Sequence, residues 1–209
     1  MKVKSIAIIE DDEKVKHYLA EQIQLQIDVQ ELRLFGDAES ALKELSAEPV
    51  EIALFDINLP GMSGIDCIRR LKLLHPRMQM MVLTVFDNTD NIFSAIKAGA
   101  TSYLLKGTPP EKIVEAINDV YKGGSPMSSQ IARKVIEAFA VKEKTNEYFQ
   151  CLSKREQEIL EQLSKGYRYT EIADKLYLSL ETVRTHVRNV YEKLKVNKRV
   201  KKIKKTGLL

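Results

Sequence analysis

Residues 1–122 alternate between two hydrophobic patterns. Short, mostly apolar runs bounded by polar or turn-forming positions predict strands that are buried on both faces of a sheet. The predicted strands are Val3–Ile9, Glu31–Phe35, Glu51–Phe55, Met78–Thr84 and Thr101–Leu105. Between them, apolar residues recur every three or four positions, which predicts amphipathic helices. The predicted helices are Glu13–Gln26, Ala38–Leu45, Gly64–Leu74, Asn91–Ala98 and Pro109–Tyr121. Strand–helix units in this succession predict an α/β fold with a doubly wound, five-stranded parallel sheet.

The rest of the chain is predicted to be helical. Two glycines and a proline in Lys122–Pro126 end the preceding helix and mark a linker. Apolar residues at helical spacing in Met127–Lys144 then predict a linker helix, which is either a packed connector or part of a moving interface. Ser153 and Glu156 have the spacing of a capping box, and the helix that they open is predicted to stop at Gly166.

Two further helices are predicted close together near the C-terminus. The first spans Thr170–Leu176, and the second follows the N-cap Ser179 and runs to about Leu194, with the tight turn Tyr177-Leu178 between them. The buried stripe predicted for the second helix comprises Val183, Val187, Val190 and Leu194. Two helices joined by a short turn, the second rich in cations, predict a small all-α domain built on a helix-turn-helix.

Charge divides the chain into an acidic and a basic half. Residues 1–125 hold 14 Lys and Arg against 19 Asp and Glu, a balance of −5, whereas residues 126–209 hold 19 against 10, a balance of +9. The stretch 181–209 alone has 10 basic and 2 acidic residues. Such a division indicates two domains of which the second meets a polyanion, the plain alternative being a solvated lysine-rich tail.

Several classes of protein are disfavoured. No apolar run approaches the ~20 residues of a membrane-spanning helix. The N-terminus leads directly into a predicted strand, without the pattern of a signal peptide. The two cysteines, Cys67 and Cys151, are far apart in the chain, which fits a reducing compartment. A cytoplasmic protein without a membrane partner is therefore expected.

Polar side chains gather where the predicted strands end. They are Glu10, Asp11 and Asp12 after the first strand, Asp56 after the third, Thr84 at the end of the fourth and Lys106 after the fifth. Since the carboxyl ends of parallel strands meet at one edge of a sheet, these side chains should form one site. Clustered carboxylates repel one another unless a hard cation such as Mg²⁺ neutralises them. A carboxylate beside Mg²⁺, a hydroxyl and a lysine can accept a phosphoryl group.

Over Ile6–Tyr121, this order of motifs resembles the receiver domain of two-component response regulators, a flavodoxin-like fold with strand order 2-1-3-4-5. The resemblance implies that Asp56 is the phosphoacceptor. The magnesium ligands that it implies are Glu10, Asp11, Asp56 and the backbone carbonyl of Asn58. The phosphate-binding and switch residues that it implies are Thr84, Tyr103 and Lys106.

Two positions depart from the receiver pattern. Asp12 adds one acid to the usual pair, and it is expected to be solvated or to lie outside the ligand shell of the metal. Gly107 follows Lys106 at a position where the family has proline, often after a cis peptide bond. A cis bond before glycine would cost ~2.5–4 kcal/mol and is not expected. The effect of Gly107 on the placement of Lys106 is left open.

The stretch Leu152–Leu194 resembles the LuxR-type helix-turn-helix, so the whole chain is similar to response regulators of the NarL/FixJ family. The matching segments are Leu152–Glu156, Glu171–Ala173, Leu176, Leu178-Ser179 and Thr182–Val187. The resemblance implies that Arg184, Thr185 and Arg188 face the major groove of double-stranded DNA. The helical spacing predicts that these three residues lie on the exposed side, opposite the buried stripe. Arginine suits guanine, and threonine can contact a thymine methyl group.

The turn and the tail depart from this family. Tyr177 stands in the turn, where glycine or asparagine is usual. A fourth, separate helix is expected after residue 194, and in the family it is rich in small residues and pairs two copies on DNA. Four lysines crowd it here, Lys201, Lys202, Lys204 and Lys205. Their charges should repel across a twofold axis unless DNA phosphates neutralise them, and Lys201 and Lys202 are expected to contact DNA.

The expected function is phosphorylation-dependent regulation of transcription. The expected domains are a receiver at 1–123, a linker at 124–147 and a DNA-binding domain at 148–209. The resemblance implies a cognate sensor histidine kinase as phosphodonor, and a homodimer when the protein is phosphorylated or bound to DNA.

Two alternatives remain open. One is a DNA-binding regulator whose receiver is a silent scaffold, although acceptor, acids, hydroxyl and lysine are all present. The other is a magnesium-dependent phosphatase with an aspartate nucleophile. That enzyme would need a second acid two positions after the nucleophile, where this chain has Asn58, so an enzyme is not expected.

Overall fold

The chain divides into two units, residues 1–127 and residues 128–209. The structure is a computed structural model that describes residues 2–140 and 152–205, with the side chains of residues 3, 5–137 and 152–193. Among the described residues, no helix is both long enough and apolar enough to cross a lipid bilayer.

The first unit is a parallel sheet covered by helices. Its strands are β1 (Lys2–Ile9), β2 (Asp28–Phe35), β3 (Ile52–Phe55), β4 (Gln79–Thr84) and β5 (Ser102–Leu105). Its helices are α1 (Glu13–Gln26), α2 (Ala38–Ala47), α3 (Gly64–Leu74), α4 (Thr89–Ala98) and α5 (Pro110–Tyr121). The strands are ordered β2-β1-β3-β4-β5 and all neighbours are parallel. The predicted fold class and strand order are therefore confirmed.

Local sequence explains where the helices of this unit begin and end. The side chains of Asp37 and Ser63 accept hydrogen bonds from first-turn N–H groups of α2 and α3. Gly99 ends α4 with a φ of 114°, a left-handed conformation that favours glycine. β2 begins at Asp28 instead of the predicted Glu31 because its first residues pair with the start of β1.

Burial holds the central strands in fixed positions, so the polar residues at their ends lie at one edge of the sheet. Every residue of β3 is buried. The core beneath one face of the sheet includes Ile6, Ile8, Leu54, Leu19, Ile23, Ile113 and Ile117, the last four from α1 and α5. Each such side chain contributes about 1.5–3 kcal/mol when fully buried, which leaves the chain little freedom to shift a strand.

The secondary-structure elements in the described part of the second unit are all helices. Its helices are α6 (Ser129–Ala140), α7 (Lys154–Ser164), α8 (Tyr169–Leu176) and α9 (Leu180–Lys205). α6 packs against α7, and both α7 and α8 pack against α9. The capping box of Ser153 and Glu156 is formed as predicted. Val183, Val187 and Val190 are buried as predicted, and the side chain of Leu194 lies outside the described ones.

The last helix is longer than predicted. An end near Leu194 and a separate fourth helix were expected, whereas α9 continues to Lys205. Residues 195–205 contain neither glycine nor proline, so nothing in the local sequence interrupts the helical hydrogen bonds. The predicted linker helix is observed as α6 up to Ala140, and residues 141–144 lie outside the described residues.

Candidate functional site

Three acidic side chains meet at the carboxyl edge of the sheet. β1 and β3 are parallel neighbours with Ile9 opposite Phe55, so the residues that follow, Glu10 and Asp56, lie side by side. The Asp56 N–H donates to the Ile9 carbonyl at 2.9 Å and secures this register. One carboxylate oxygen each from Glu10, Asp11 and Asp56 lies within 4.8 Å of the other two. The structure thus brings the three predicted carboxylates together.

This acidic cluster, Glu10, Asp11 and Asp56, fits a hard divalent cation. All its donor atoms are carboxylate oxygens. Glu10 and Asp56 are buried, whereas Asp11 is exposed. Mg²⁺ prefers oxygen ligands and keeps several water molecules, which the exposed side of the cluster can admit. These three residues could therefore hold Mg²⁺.

Lys106 lies across the acidic cluster. Its Nζ is 2.6 Å from Asp56 Oδ2 and 2.7 Å from Glu10 Oε2. Its backbone N–H donates to the Thr84 carbonyl at 2.9 Å, which extends the pairing of β4 and β5 to the edge of the sheet. Burial alone would lower the pKa of Lys106, but hydrogen bonds to Asp56 and Glu10 raise it above its ordinary value. The lysine therefore remains charged at physiological pH.

One lysine does not balance the acidic cluster. Burial raises the pKa of Glu10 above its ordinary value, while the hydrogen bond from Lys106 and that from the Asp12 N–H act in the opposite direction. The charge of Asp56 adds to the upward shift of this pKa. A further positive charge at this edge would relieve the repulsion between the carboxylates, as a bound cation does.

Asp56 is oriented by the loop that follows it. Its Oδ1 accepts hydrogen bonds from the Ile57 N–H at 2.6 Å and the Asn58 N–H at 3.3 Å, while Oδ2 accepts from Lys106. Gly64 lets the loop fold back, because a Cβ at that position would lie 1.9 Å from the Asp56 carbonyl oxygen. The carboxylate is therefore held with one oxygen toward the lysine and the other toward the loop.

Thr84 and Tyr103 are both buried next to this site. The Tyr103 hydroxyl donates to the Phe86 carbonyl at 2.8 Å, two residues beyond Thr84. Burial raises the pKa of Tyr103, so the hydroxyl stays protonated and able to donate. Tyr103 thus lies inward in this structure and is tied to the segment that carries Thr84.

The two departures from the receiver pattern leave the acidic cluster and its lysine in place. Asp12 is the N-cap of α1 and accepts from the N–H groups of Lys14 at 2.9 Å and Val15 at 3.2 Å. At Gly107, an added Cβ would meet nothing within 4 Å. None of the described peptide bonds is cis. Lys106 therefore reaches both carboxylates without the proline that usually follows it.

One contact near the site was not apparent from the sequence. Glu39, in the first turn of α2, accepts a hydrogen bond from the Met62 N–H at 2.7 Å. Gly61 precedes Met62 with a φ of 74°, and a Cβ there would lie 2.4 Å from Glu39 Oε1. Glu39 thereby anchors the loop after Asp56. The bonded residues are 23 positions apart, so no local pattern could have revealed the contact.

The helix-turn-helix is formed by α8 and α9. Its turn contains Tyr177, which has a φ of 54° and is 96% exposed. Ser179 then caps α9 as predicted, because its Oγ accepts from the Thr182 N–H at 3.0 Å. Arg155 of α7 donates to the Leu176 carbonyl at 2.5 Å, so the first helix of the unit supports the turn.

The prediction that Arg184 is exposed is wrong. Its side chain is only 8% exposed, and its Nη1 lies 2.5 Å from Glu181 Oε1. Tyr191 is also buried, and it widens the apolar stripe of α9 toward the side of the helix on which Arg184 lies. Thr185 and Arg188 are exposed as predicted. The three residues expected to face DNA are therefore not equally accessible.

An ion pair between the buried Glu156 and the partly exposed Lys193 joins α7 and α9. Glu156 Oε2 accepts from Lys193 Nζ and from the Ser153 N–H, both at 2.7 Å. Burial alone would raise the pKa of Glu156, but these hydrogen bonds lower it below its ordinary value. Lys201 and Lys202 lie in the last turns of α9, and their side chains lie outside the described ones, so their contacts with DNA remain a prediction.

Two sequence families match this chain. The family described as response regulator receiver domain matches residues 6–118, and the one described as bacterial regulatory proteins, luxR family, matches residues 150–205. The nitrate/nitrite response regulator protein NarP of Escherichia coli (strain K12) is 32% identical over 93% of this chain and 90% of its own length. The uncharacterized transcriptional regulatory protein YxjL of Bacillus subtilis (strain 168) is 31% identical over 95% of this chain and 92% of its own length.

Solved structures share the fold. The RcsB response regulator of Salmonella typhimurium superposes with a TM-score of 0.61 over 93% of both chains at 22% identity, which shows a common architecture. A receiver followed by a LuxR-type helix-turn-helix defines a DNA-binding regulator of a two-component system. The chain belongs to the NarL/FixJ family of response regulators, and the receiver domain implies that phosphorylation controls it.

Proposed function

We propose that Asp56 accepts the phosphoryl group and that Glu10, Asp11, Asp56 and the backbone carbonyl of Asn58 hold Mg²⁺ beside it. This assignment rests on the position of Lys106, whose Nζ lies 2.6 Å from Asp56 and 2.7 Å from Glu10. Mg²⁺, when bound, would supply charge neutralisation for the oxygens of the transferring group.

The proposed donor is the phosphohistidine of a sensor kinase. A carboxylate oxygen of Asp56 attacks phosphorus, so an O–P bond forms and the P–N bond breaks. The electron pair of that bond leaves with the imidazole of the kinase. Lys106 offsets the charge on the phosphoryl oxygens, and the Thr84 hydroxyl hydrogen-bonds to one of them once transfer is complete.

The proposed switch links Thr84 to Tyr103. Thr84 Oγ1 makes a long contact of 3.5 Å with the Phe86 N–H, so the hydroxyl can turn toward a phosphoryl oxygen at little cost. The Phe86 carbonyl is the acceptor of the Tyr103 hydroxyl at 2.8 Å. A movement of Thr84 would therefore change the environment of Tyr103 and shift the population of conformations on the β5 side of the receiver.

The proposed DNA contacts lie on α9. Thr185 and Arg188 are exposed on this helix and are suited to base edges in the major groove. The stretch 181–209 holds 10 basic and 2 acidic residues, which suits the phosphate backbone, and Lys201 and Lys202 are assigned to phosphates. Repulsion between lysine-rich helix ends disfavours pairing without DNA, so the homodimer is assigned to the phosphorylated or DNA-bound protein.

The proposed domains are the receiver at 1–123, the linker at 124–147 and the DNA-binding domain at 148–209. The Pro126 carbonyl accepts from Ser102 Oγ at 2.8 Å and from the Tyr103 N–H at 3.3 Å. The start of the linker is thus attached to β5 beside the switch tyrosine, which supports a route from phosphorylation to DNA binding. The proposed location is the cytoplasm, where a bacterial regulator meets its DNA.

Phosphorylation of the full chain by phosphoramidate and Mg²⁺ tests the acceptor. Intact-mass measurement should show one phosphoryl group on the wild-type protein and none on Asp56→Asn. Asp12→Asn is the matched control and should label like the wild type, because asparagine also caps a helix. Labelling of Asp56→Asn would contradict the assignment. An unlabelled wild-type protein that still binds Mg²⁺ would favour a silent receiver.

A further inference from the structure

We propose that Tyr177 contacts the backbone of DNA, with its hydroxyl group donating a hydrogen bond to a phosphate oxygen beside the groove that α9 enters. This inference rests on the proposed DNA-binding role of α9. It adds a contact outside that helix, in the turn between α8 and α9. Because the phosphate backbone is the same in every duplex, the contact would add affinity without selecting a sequence.

The backbone of this turn is held by three hydrogen bonds. The Leu178 N–H donates to the Ala173 carbonyl at 2.8 Å, and the Tyr177 N–H donates to the Asp174 carbonyl at 3.3 Å. These two bonds form a Schellman motif, whose turn residue adopts the left-handed conformation. Arg155 adds a third bond, at 2.5 Å, to the carbonyl of the last residue of α8. The backbone that carries the Tyr177 side chain is therefore fixed before DNA binds.

Tyrosine is an unfavourable residue for this position. Its φ is 54°, a left-handed conformation that glycine adopts freely but in which the Cβ of any other residue is crowded. The side chain is 96% exposed, so neither its ring nor its hydroxyl group stabilises the fold by packing. A strained residue without a stabilising role in the fold indicates a function outside it.

The position of the turn indicates that DNA is the partner. Tyr177 lies two residues before Ser179, the N-cap of α9. In a helix-turn-helix, the first helix crosses the DNA backbone and the N-terminal residues of the second helix reach the base edges. The turn connects these two helices and therefore passes close to the phosphates that flank the groove. Lys175, exposed in the last turn of α8, adds a positive charge beside it.

DNA binding by the full chain, phosphorylated with phosphoramidate and Mg²⁺, tests this contact. The probes are a duplex that the wild-type protein enriches from a random library and a scrambled duplex of the same composition. Tyr177→Phe removes only the hydroxyl group and should weaken binding to both duplexes at least about threefold, because one hydrogen bond is lost. Tyr18→Phe makes the same change at an exposed tyrosine of α1 and should change the affinity by less than about 1.5-fold.

A second variant separates the contact from the stability of the turn. Tyr177→Gly removes the ring as well and should weaken binding to both duplexes at least as much as Tyr177→Phe. It should unfold at no lower temperature than the wild type, because glycine adopts a φ of 54° without strain. The merely structural role of a turn residue would predict unchanged or tighter binding in this variant.

The salt dependence of binding separates a lost contact from a displaced helix. A tyrosine hydroxyl releases no counterion when it meets a phosphate, so both Tyr177 variants should keep the wild-type slope of affinity against salt concentration. A flattened slope would overturn the proposal, since it would mean that α9 has lost its basic contacts. Wild-type affinity in Tyr177→Phe would also overturn it, as would a loss confined to the enriched duplex. If the wild-type protein binds neither duplex, the proposed DNA-binding role of α9 fails, and this inference fails with it.

Discussion

Glu10 in the receiver and Glu156 in the helical unit have nearly the same burial and the same kind of partner, yet their electrostatics are opposite. Glu10 is 2% exposed and lies 2.7 Å from Lys106, and Glu156 is 3% exposed and lies 2.7 Å from Lys193. The pKa of Glu10 is nevertheless raised, while that of Glu156 is lowered.

The difference lies in the balance between burial and hydrogen bonds. Both carboxylates accept from a lysine and from a backbone N–H, but at Glu10 burial outweighs these hydrogen bonds, and the charge of Asp56 adds to the upward shift of the pKa. At Glu156 the hydrogen bonds from Lys193 and the Ser153 N–H outweigh burial. A buried carboxylate that lies beside other carboxylates, like Glu10, is suited to bind a cation. A carboxylate whose hydrogen bonds outweigh its burial, like Glu156, stabilises the fold.

Glu156→Gln should have the largest effect on stability. The variant loses the ion pair and leaves Lys193 without its carboxylate, which should reduce the unfolding free energy of the second unit by about 1–3 kcal/mol. Hydrogen exchange of peptides from α7 and α9 in the full chain measures this loss. Glu158→Gln is the matched control, since Glu158 forms a surface pair with Arg155 and should cost less than about 1 kcal/mol. Equal losses of unfolding free energy in the two variants would mean that the Glu156 ion pair stabilises the fold no more than a surface pair does. The contrast with Glu10 would then not hold.

Glu10→Gln should weaken Mg²⁺ binding at least about tenfold, or 1.4 kcal/mol, without destabilising the receiver. The substitution removes a proposed metal ligand, but it also removes one of the carboxylates that repel each other. Lys106 keeps its ion pair with Asp56. Calorimetric titration measures the affinity for Mg²⁺, and hydrogen exchange of β1 and β3 measures the stability of the receiver. Asp12→Asn should change neither. A receiver destabilised as strongly as the second unit is by Glu156→Gln would show that both glutamates are structural.

Lowering the pH should change the stability contributions of the two glutamates in opposite directions. The folded pKa of Glu156 lies below its ordinary value of 4.5, so its stabilisation is complete above that value and is lost as pH falls through the folded pKa. The folded pKa of Glu10 lies above 4.5, so its ionisation costs stability at neutral pH and protonation relieves that cost as pH falls through the folded pKa.

Hydrogen exchange corrected for intrinsic rates measures this pH dependence. From neutral pH toward 4.5, the receiver should gain protection while the second unit stays constant. Below that value the second unit should lose protection. Glu10→Gln should remove the gain in the receiver, and a gain that persists in this variant must come from another group.

Ser153→Ala should have the smallest effect. It removes the hydroxyl that accepts from the Glu156 N–H but keeps both hydrogen bonds to the Glu156 carboxylate, so the cost should be about 0.5–1 kcal/mol. The same exchange measurement applies, with Ser164→Ala as the control at the other end of α7. A loss as large as that of Glu156→Gln would assign the stabilisation to the helix cap instead of the ion pair.

The sequence by itself determined the parts of this protein that depend on neighbours in the chain. The bounds of α1 and α3 match their prediction because their caps, Asp12 and Ser63, act within a few residues. The meeting of Glu10, Asp56 and Lys106 also followed from the sequence, since parallel strands bring their carboxyl ends to one edge.

Only the tertiary structure decided which side chains meet where two helices pack against each other. Glu156 and Lys193 are 37 positions apart and belong to different helices, so their pairing depends on how α7 and α9 pack. The burial of Arg184 likewise depends on how wide a face α9 buries, and helical periodicity gives the direction of a stripe but not its width. A pattern within one helix contains no information on the surface that covers it, and for that reason Arg184, predicted to be exposed like Thr185 and Arg188, proved to be buried.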